Sequence, residues 1–590
     1  MCGIAGLMTR DGGSPSRTTL DTMLSVLGHR GPDGEGMHIS QGVGLAQNRL
    51  AIIDLSTGDQ PMHEPGGAAL VANAEIYNYV ELRRELTDVR FTSQSDCEPP
   101  LHLYRKYGVD FAEKLRGMYA IAIYDAAEDR LVLSRDPFGI KPLYYCETAE
   151  QFAFASEPRA LLEAGLAPCN VNATQRNELL QLQFTCGRQT IYSSIQRVMP
   201  GETLVVRGGR IVDRRRLEML PEPDVETPRH ATLDDAIETL DRTLEESVRI
   251  HQRSDVPYGL FLSGGIDSSA ILALMARLNE RPVRAFTVGF GDTGVHDERA
   301  HAKALASSVG AEHHEITFDE QDFWQLLPKV AASVDDPAAD YAILPTWKLA
   351  REAAHELKVV LSGEGGDELF AGYGRYRSQL HPWWRGGRTL RARGIFDGLN
   401  VLREDPVAWR DGFEAAQANA TLPGRSALQI AQAVDCADWL PNDLLTKLDR
   451  CLMSHSLEGR TPFLDREVAD LAFGLPDDMK IRKGAGKWLL RQWLQRVLPA
   501  ARPFDRKRGF TVPVGEWIHK QGSTLGPMVA RHPAIAEFCR PDRVEKLFAT
   551  RRKRAGIASW VLLFYALWHQ TAIDGAATDG DVFDVLAAKP

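Results

Sequence analysis

Two short apolar runs, each ending in a glycine-rich acidic loop, constrain this chain more than any other feature. Residues 258–262 read as a strand, end in Ser263-Gly264-Gly265-Ile266-Asp267-Ser268-Ser269, and lead into a helical pattern over 268–278. Residues 358–361 repeat the arrangement and end in Ser362-Gly363-Glu364-Gly365-Gly366-Asp367-Glu368. Between them, an apolar run at 283–290 precedes a helical stretch at 298–309. Strands that alternate with helices build a parallel sheet, because parallel neighbours are joined only by crossovers. Ligands in such sheets sit at the carboxyl ends of the strands, where all these glycines fall.

The loops also specify a chemistry. A glycine turn opening a helix converges N–H groups and adds the positive end of the helix dipole, which suits phosphate or pyrophosphate. No Gly-Lys-Ser/Thr follows, so this is not a Walker loop. Asp267 would repel a phosphate unless a cation lay between them; magnesium, bound through one or two carboxylates plus phosphate oxygens, resolves the conflict. The plainer reading, a turn with a capping Asp or Ser, fits less well with the whole string between strand and helix. Asp367 offers a second metal carboxylate, and Glu364 a base or substrate anchor. Beside these loops, Lys487, at the start of a helical stretch, becomes a candidate to stabilise charge on a transferring phosphate.

The first 205 residues follow a different pattern. Short apolar runs at 43–45, 51–53, 69–72, 118–124, 130–133 and 152–155 read as strands, with helices at 19–28 and 79–86. This predicts a strand-dominated α+β layer structure with helices outside. Cys2 follows the initiator Met. Removal of that Met would leave an α-amine of pKa about 8, suited to take the proton of the thiol on the same residue. Alone, the residue reads as an incidental buried cysteine. Its company changes that: Arg49 can clamp a carboxylate, Glu75 and Asp96 can hold an ammonium group, and the Asn73 amide and Ala74 N–H can form an oxyanion hole. Arg135 and Asp136 read as an internal ion pair.

A chain of 590 residues admits two to four domains. Residues 206–232, with Arg-Gly-Gly-Arg and Pro-Glu-Pro-Asp, read as a linker before a helix at 233–252; from 374 onward the pattern is mostly helical. A net charge of -10 gives no support for a nucleic-acid partner, and the basic clusters at 385–393 and 551–554 read as solvated. Eight cysteines without Cys-x-x-Cys spacing argue against a zinc site or disulfide framework and for a reducing, cytoplasmic setting. No signal peptide is recognised, and residues 557–568 are too short to span a bilayer and read as a buried helix.

Taken in order, these motifs resemble one family, the glutamine-hydrolysing asparagine synthetases, over nearly the whole chain. Cys2-Gly3-Ile4-Ala5-Gly6, His29-Arg30-Gly31-Pro32-Asp33-Gly34, Arg49-Leu50, Asn73 to Asn78, and Arg135-Asp136 with Gly139-Ile140-Lys141-Pro142-Leu143-Tyr144 are similar to the class II glutamine amidotransferase domain. Ser263 to Ser269, Ser362 to Glu368, Asp449-Arg450 with His455-Ser456-Leu457-Glu458, and Lys487 are similar to the ATP-dependent synthetase domain.

The resemblance implies an Ntn-hydrolase-like four-layer sandwich over residues 1–210, a linker at 211–232, and an α/β parallel-sheet nucleotide domain with a largely helical C-terminal part over 233–590. It implies that Cys2 attacks the glutamine amide and forms a thioester. Arg49, Ile53, Asn73, Ala74, Glu75 and Asp96 would bind glutamine, Asn73 and Ala74 as the oxyanion hole. Leu262, Val288, Ser362 and Gly363 would contact ATP, the co-substrate. Ser263, Gly264, Gly265, Asp267 and Ser268 would hold its pyrophosphate, with Mg2+ on Asp267 and Asp367, and Glu364 and Lys487 would act in catalysis. A carboxylate would be adenylated and then attacked by ammonia delivered through an internal tunnel. Aspartate is the expected acceptor. The alternatives are another carboxylate, on a cell-envelope polymer or a secondary metabolite, recognised through residues 374–440, or a silent nucleotide-binding scaffold. The latter would have lost Cys2, Asp267, Asp367 or Lys487, and all are present. The β-lactam-forming relatives lack the N-terminal cysteine and carry Tyr where this chain has Glu364. The expected partners are small molecules, with no nucleic acid or membrane, and a homodimer is compatible with the resemblance. One departure, Ala74 where the family has Gly, predicts reduced but present glutamine hydrolysis.

Overall fold

The computed structural model describes residues 2–222, 232–291, 298–381, 384, 387, 389–505 and 512–588. Its first part stacks two six-stranded antiparallel sheets face to face. One runs, edge to edge, Gln196–Arg197, Tyr144–Glu147, Gln151–Ala155, Gly3–Thr9, Val43–Arg49, Gly34–Ile39; the other runs Arg210–Arg216, Glu202–Arg207, Arg130–Arg135, Gly117–Asp125, Ala68–Ile76, Met62–His63. Side chains alternate between the faces of a strand, and this alternation sorts the core into layers. Ile4 and Met8 meet Ala69 and Val71 between the sheets. Ala5 and Leu7 face Leu20 and Met23 of the helix Arg17–Leu27, while Leu70, Ala72 and Ala74 face Leu101 and Tyr104 of the helix Glu98–Tyr107. The result is the four-layer sandwich that the resemblance implied.

Two local expectations need correction. Residues 51–53 form no strand, because the Arg49 guanidinium gathers the Ile53 and Asp54 carbonyls and bends the segment around itself. The Arg-Gly-Gly-Arg expected as linker is a hairpin turn joining Glu202–Arg207 to Arg210–Arg216, so the sheet runs six residues past the boundary at 210. Gly208 and Gly209 have φ of 50° and 64°, the sign that the tight turns matching strand twist require at both central positions. Residues 223–231 of the expected linker, and Arg385 and Arg388 of one basic cluster, lie outside the described residues.

The second part carries a five-stranded parallel sheet in the order Glu312–Phe318, Arg284–Phe290, Tyr258–Phe261, Val359–Leu361, Glu458–Arg460. The chain starts at the central strand, steps twice to one side, then returns and steps twice to the other. The order therefore reverses between Tyr258–Phe261 and Val359–Leu361, and a crevice opens at their carboxyl ends. Both glycine-rich loops border it. Helices surround the sheet, and the helix Lys553–Trp568 is buried, as expected for residues 557–568. Among the described residues, no helix is long and apolar enough to cross a membrane.

Candidate active site

Cys2 shares the alternation of Ile4 and faces the gap between the sheets, as do Asn73 and Glu75 across from it. Its backbone N–H donates to Asn73 Oδ1 at 3.0 Å. That bond fixes the amide with its oxygen accepting, and the other end, Asn73 Nδ2, is buried without a partner. A second donor stands beside it. Ala74 lies opposite Tyr119, and Tyr119 turns its own N–H and C=O towards Asp136 on its far side. Antiparallel partners of that kind turn their backbone groups away from each other. Ala74 N–H therefore points to the open edge, between Ala72 N–H, taken by Gln60 Oε1 at 2.6 Å, and Ile76 N–H, taken by Asp96 Oδ2 at 2.7 Å. Two unspent donors beside a cysteine are what an oxyanion hole needs. Met1 lies outside the described residues.

The other glutamine-site candidates gather around this pair. Arg49 is buried and donates to Asp59 Oδ1 at 2.8 Å and to the carbonyls of Ile53 and Asp54. Asp59 is 82% exposed, so a ligand carboxylate can displace that weak surface pair. Burial drives the Asp96 carboxyl up to about 6, against the Ile76 N–H, and drives Glu75 well above the usual carboxylate range, against Arg460. An incoming ammonium group supplies the charge both acids need to ionise. Burial also pushes the Cys2 thiol up, while the Leu50 backbone and Arg49 draw it down.

The structure removes the ground for a weakened hydrolase at Ala74. The residue sits in extended strand, and its methyl packs in the helix-facing layer, opposite Asn73 and Glu75. Ala74→Gly should therefore leave kcat/KM for glutamine hydrolysis within about twofold, since glycine adds only about 0.5–1 kcal/mol of strand destabilisation. A severalfold rise would restore the original expectation. Arg135 and Asp136 are likewise not an ion pair. Neighbours at a strand end face opposite ways. Arg135 donates to the carbonyls of Gly139, Lys141 and Val198, and Asp136 accepts from the N–H groups of Tyr119, Phe138, Ile140 and Lys141.

Every nucleotide-site candidate borders one cavity of about 840 Å3: Leu262, Ser263, Gly264, Gly265, Asp267, Ser268, Val288, Ser362, Gly363, Glu364, Asp367 and Lys487. Lys487 Nζ bonds Asp267 Oδ2 and lies 2.8 Å from Asp367 Oδ1, bringing together residues from three segments. Its burial opposes the charge, but the two carboxylates outweigh burial and raise its pKa. The glycines make room for this. A Cβ on Gly363 would lie 2.8 Å from Asp267 Cβ, and one on Gly366 would lie 2.5 Å from Asp267 Oδ1. Two carboxylates converging on one cation, in a cavity with room for phosphate oxygens and water, match the donor chemistry of a hard divalent ion. Among the described residues no group of three or more His, Cys, Asp or Glu could cage a metal by itself.

Sequence reasoning missed much of the remaining wall. Asp340, Tyr341, Asp443 and Lys447 line the same cavity, as do Arg375, Arg391 and Trp439 from the segment expected to hold the acceptor, and Gln183 from the first part of the chain. Lys447 Nζ bonds Asp340 Oδ2 at 2.8 Å. Burial raises the Glu364 carboxyl against the nearby Lys447.

A buried charge network joins the two sites. Arg30, wholly buried, donates to Cys2 O at 3.2 Å, to Glu157 Oε1 at 2.6 Å and to Asp449 at 2.8 and 3.0 Å. Arg450 pairs with Glu157 and Asp335, both at 2.9 Å. Arg460 pairs with Glu75 at 2.8 Å and Glu458 at 2.6 Å, and its carbonyl accepts from Ser362 N–H at 2.8 Å. Breaking one partner of such a buried pair typically costs about 3–5 kcal/mol.

Comparison with known proteins gives matching results for both parts. The family model described as asparagine synthase matches residues 239–570, and that of the glutamine amidotransferase domain matches residues 1–216. The chain is 31% identical to glutamine-hydrolyzing asparagine synthetase 1 of Bacillus subtilis, over 97% of each chain. It is 32% identical to a putative glutamine-hydrolyzing asparagine synthetase of Mycobacterium tuberculosis, over 97% of this chain and 98% of the other. It is also 28% identical to amidase chry2 of Gibberella zeae, over 98% and 95%.

Proposed function

The chain belongs to the family of glutamine-hydrolysing asparagine synthetases, and on that premise we propose that it converts L-aspartate, L-glutamine, ATP and water to L-asparagine, L-glutamate, AMP and diphosphate. In the first site Cys2 Sγ attacks the glutamine amide carbon, with its proton passing to the α-amine freed by loss of Met1. Asn73 Nδ2 and Ala74 N–H hold the oxyanion. Ammonia leaves with that proton, and water hydrolyses the thioester to glutamate. Arg49 binds the substrate α-carboxylate, and Glu75 and Asp96 its ammonium group.

In the second site the acceptor carboxylate attacks the α-phosphorus of ATP and pyrophosphate leaves. Ammonia, passing internally between the sites, then attacks the acyl carbon and releases AMP. The Ser263–Ser268 and Ser362–Gly363 loops position the phosphates, Lys487 offsets the developing charge, and Glu364 faces the acceptor as base or anchor. Magnesium held by Asp267 and Asp367 would supply charge shielding on the phosphates.

The observation that supports this reading most is the pair of unspent donors at Asn73 and Ala74, beside a cysteine whose strand is tied through Arg30 to Asp449 of the synthetase part. Incubation with ATP, glutamine and aspartate should yield asparagine and pyrophosphate in equal amounts. Pyrophosphate formed only with some other carboxylate would move the acceptor assignment and leave the ligase chemistry standing.

A further inference from the structure

Several charges of the cavity wall are neutralised by a neighbouring residue. Arg375 pairs with Asp435 at 2.8 Å and Lys447 with Asp340 at 2.8 Å. Two are not. The Arg391 guanidinium lies 5.1 Å from the centre of the Trp439 ring and 5.2 Å from that of Phe184, with no ion pair to any carboxylate among the described residues. Asp443 is 4% exposed, and its Oδ2 accepts from Trp439 Nε1 at 2.6 Å. Arg391 Nε and Asp443 Oδ1 are both shut off from solvent and have no hydrogen-bond partner. Buried polar atoms of this kind carry a desolvation penalty that a bound ligand can remove.

The arrangement is specific in sign and spacing. One indole holds a cation over its face and an anion at its N–H, and both border the cavity that contains Glu364 and the two loops. A ligand with a carboxylate and an ammonium on the same carbon presents the complementary pair. Phe184, which backs Arg391, belongs to the first part of the chain, so the wall is completed only when both parts are present.

We infer that Arg391 and Asp443, spaced by Trp439, clamp the α-carboxylate and α-ammonium groups of the acceptor amino acid, leaving its side-chain carboxylate for adenylation. The inference rests on the proposed amidation and narrows its acceptor to a free α-amino acid. A polymer-linked or N-acylated carboxylate would leave Asp443 without its partner.

Calorimetric titration of the full chain with L-aspartate, in the presence of a non-hydrolysable ATP analogue, separates binding from chemistry. Arg391→Gln and Asp443→Asn should each weaken aspartate binding by about tenfold to a hundredfold, the usual loss for one charged hydrogen-bonding partner. ATP-analogue affinity and glutamine hydrolysis should stay within about twofold, which also reports that the variants fold. N-acetyl-L-aspartate, lacking the ammonium, should bind the parent weakly and lose no further affinity in Asp443→Asn. 3-Aminopropanoate, lacking the α-carboxylate, should be indifferent to Arg391→Gln. Unchanged aspartate affinity in both variants, loss of ATP-analogue affinity instead, or no aspartate binding by the parent overturns the clamp. Aspartate that binds as described, yet gives no pyrophosphate with ATP, overturns the proposed reaction and leaves the clamp intact.

Discussion

Cys2→Ala should abolish glutamine-dependent formation of the proposed product, asparagine, by at least about a thousandfold, and leave formation from added ammonia within about twofold. The expectation follows from where Cys2 stands. Its thiol lies beside Asn73 Nδ2 and Ala74 N–H, the position from which an acyl bond with glutamine can form. The substitution removes one sulfur atom and keeps a buried apolar residue, and the Asn73 bond uses the backbone N–H, which alanine retains. The synthetase cavity contains no atom of Cys2. Parallel measurements with glutamine and with ammonium chloride check this. Equal loss of both activities would mean that the two reactions do not occupy separate sites.

Lys487→Met should produce the reverse pattern. Synthesis should fall by about a hundredfold to a thousandfold with either nitrogen source, the scale for removing one preorganised group that stabilises transition-state charge. Glutamine hydrolysis should persist. The physical cause lies in the contacts of Lys487 with Asp267 and Asp367. Without the ammonium, two carboxylates that glycines hold close together face a polyphosphate with no fixed cation between them. Added magnesium offsets only part of that repulsion, since the lysine charge is built into the site. Pyrophosphate release with each nitrogen source, and glutamate release without ATP, read the two halves independently. Synthesis within threefold of the parent would remove Lys487 from the mechanism.

The parts of the fold that could be read from sequence are those whose information is local. A strand, a glycine loop and a capped helix are contiguous, so the Ser263 and Ser362 loops and the sheet that carries them could be placed in advance. Two strands of that parallel sheet escaped for physical reasons. Glu312–Phe318 reads as Glu-His-His-Glu before its apolar end, and Glu458–Arg460 is three residues long with a buried charge at each end. Arg460 is matched there by Glu458 at 2.6 Å and by Glu75 at 2.8 Å, the latter far away in sequence and in the other part of the molecule.

The same distinction runs through the site. Arg49, Asn73, Glu75 and Asp96 were identifiable by motif, but the reason Ala74 suffices lies in the pairing with Tyr119, which no local pattern displays. Arg30 meets Asp449 across 419 residues, and Lys487 meets Asp267 across 220. Arg391, Trp439 and Asp443 carry no motif at all; only the cavity shows them together. The adjacent Arg135 and Asp136 misled for the opposite reason. Sequence neighbours on a strand look paired on the page and point apart in space.

Transfer of the glutamine amide nitrogen to aspartate is the event that joins the two sites. With glutamine labelled with 15N at the amide, unlabelled ammonium in the buffer, ATP and aspartate, the asparagine formed should carry 15N in its side-chain amide, one equivalent per pyrophosphate released. Unlabelled asparagine alongside released 15N-ammonia, or pyrophosphate release with no asparagine, would contradict it.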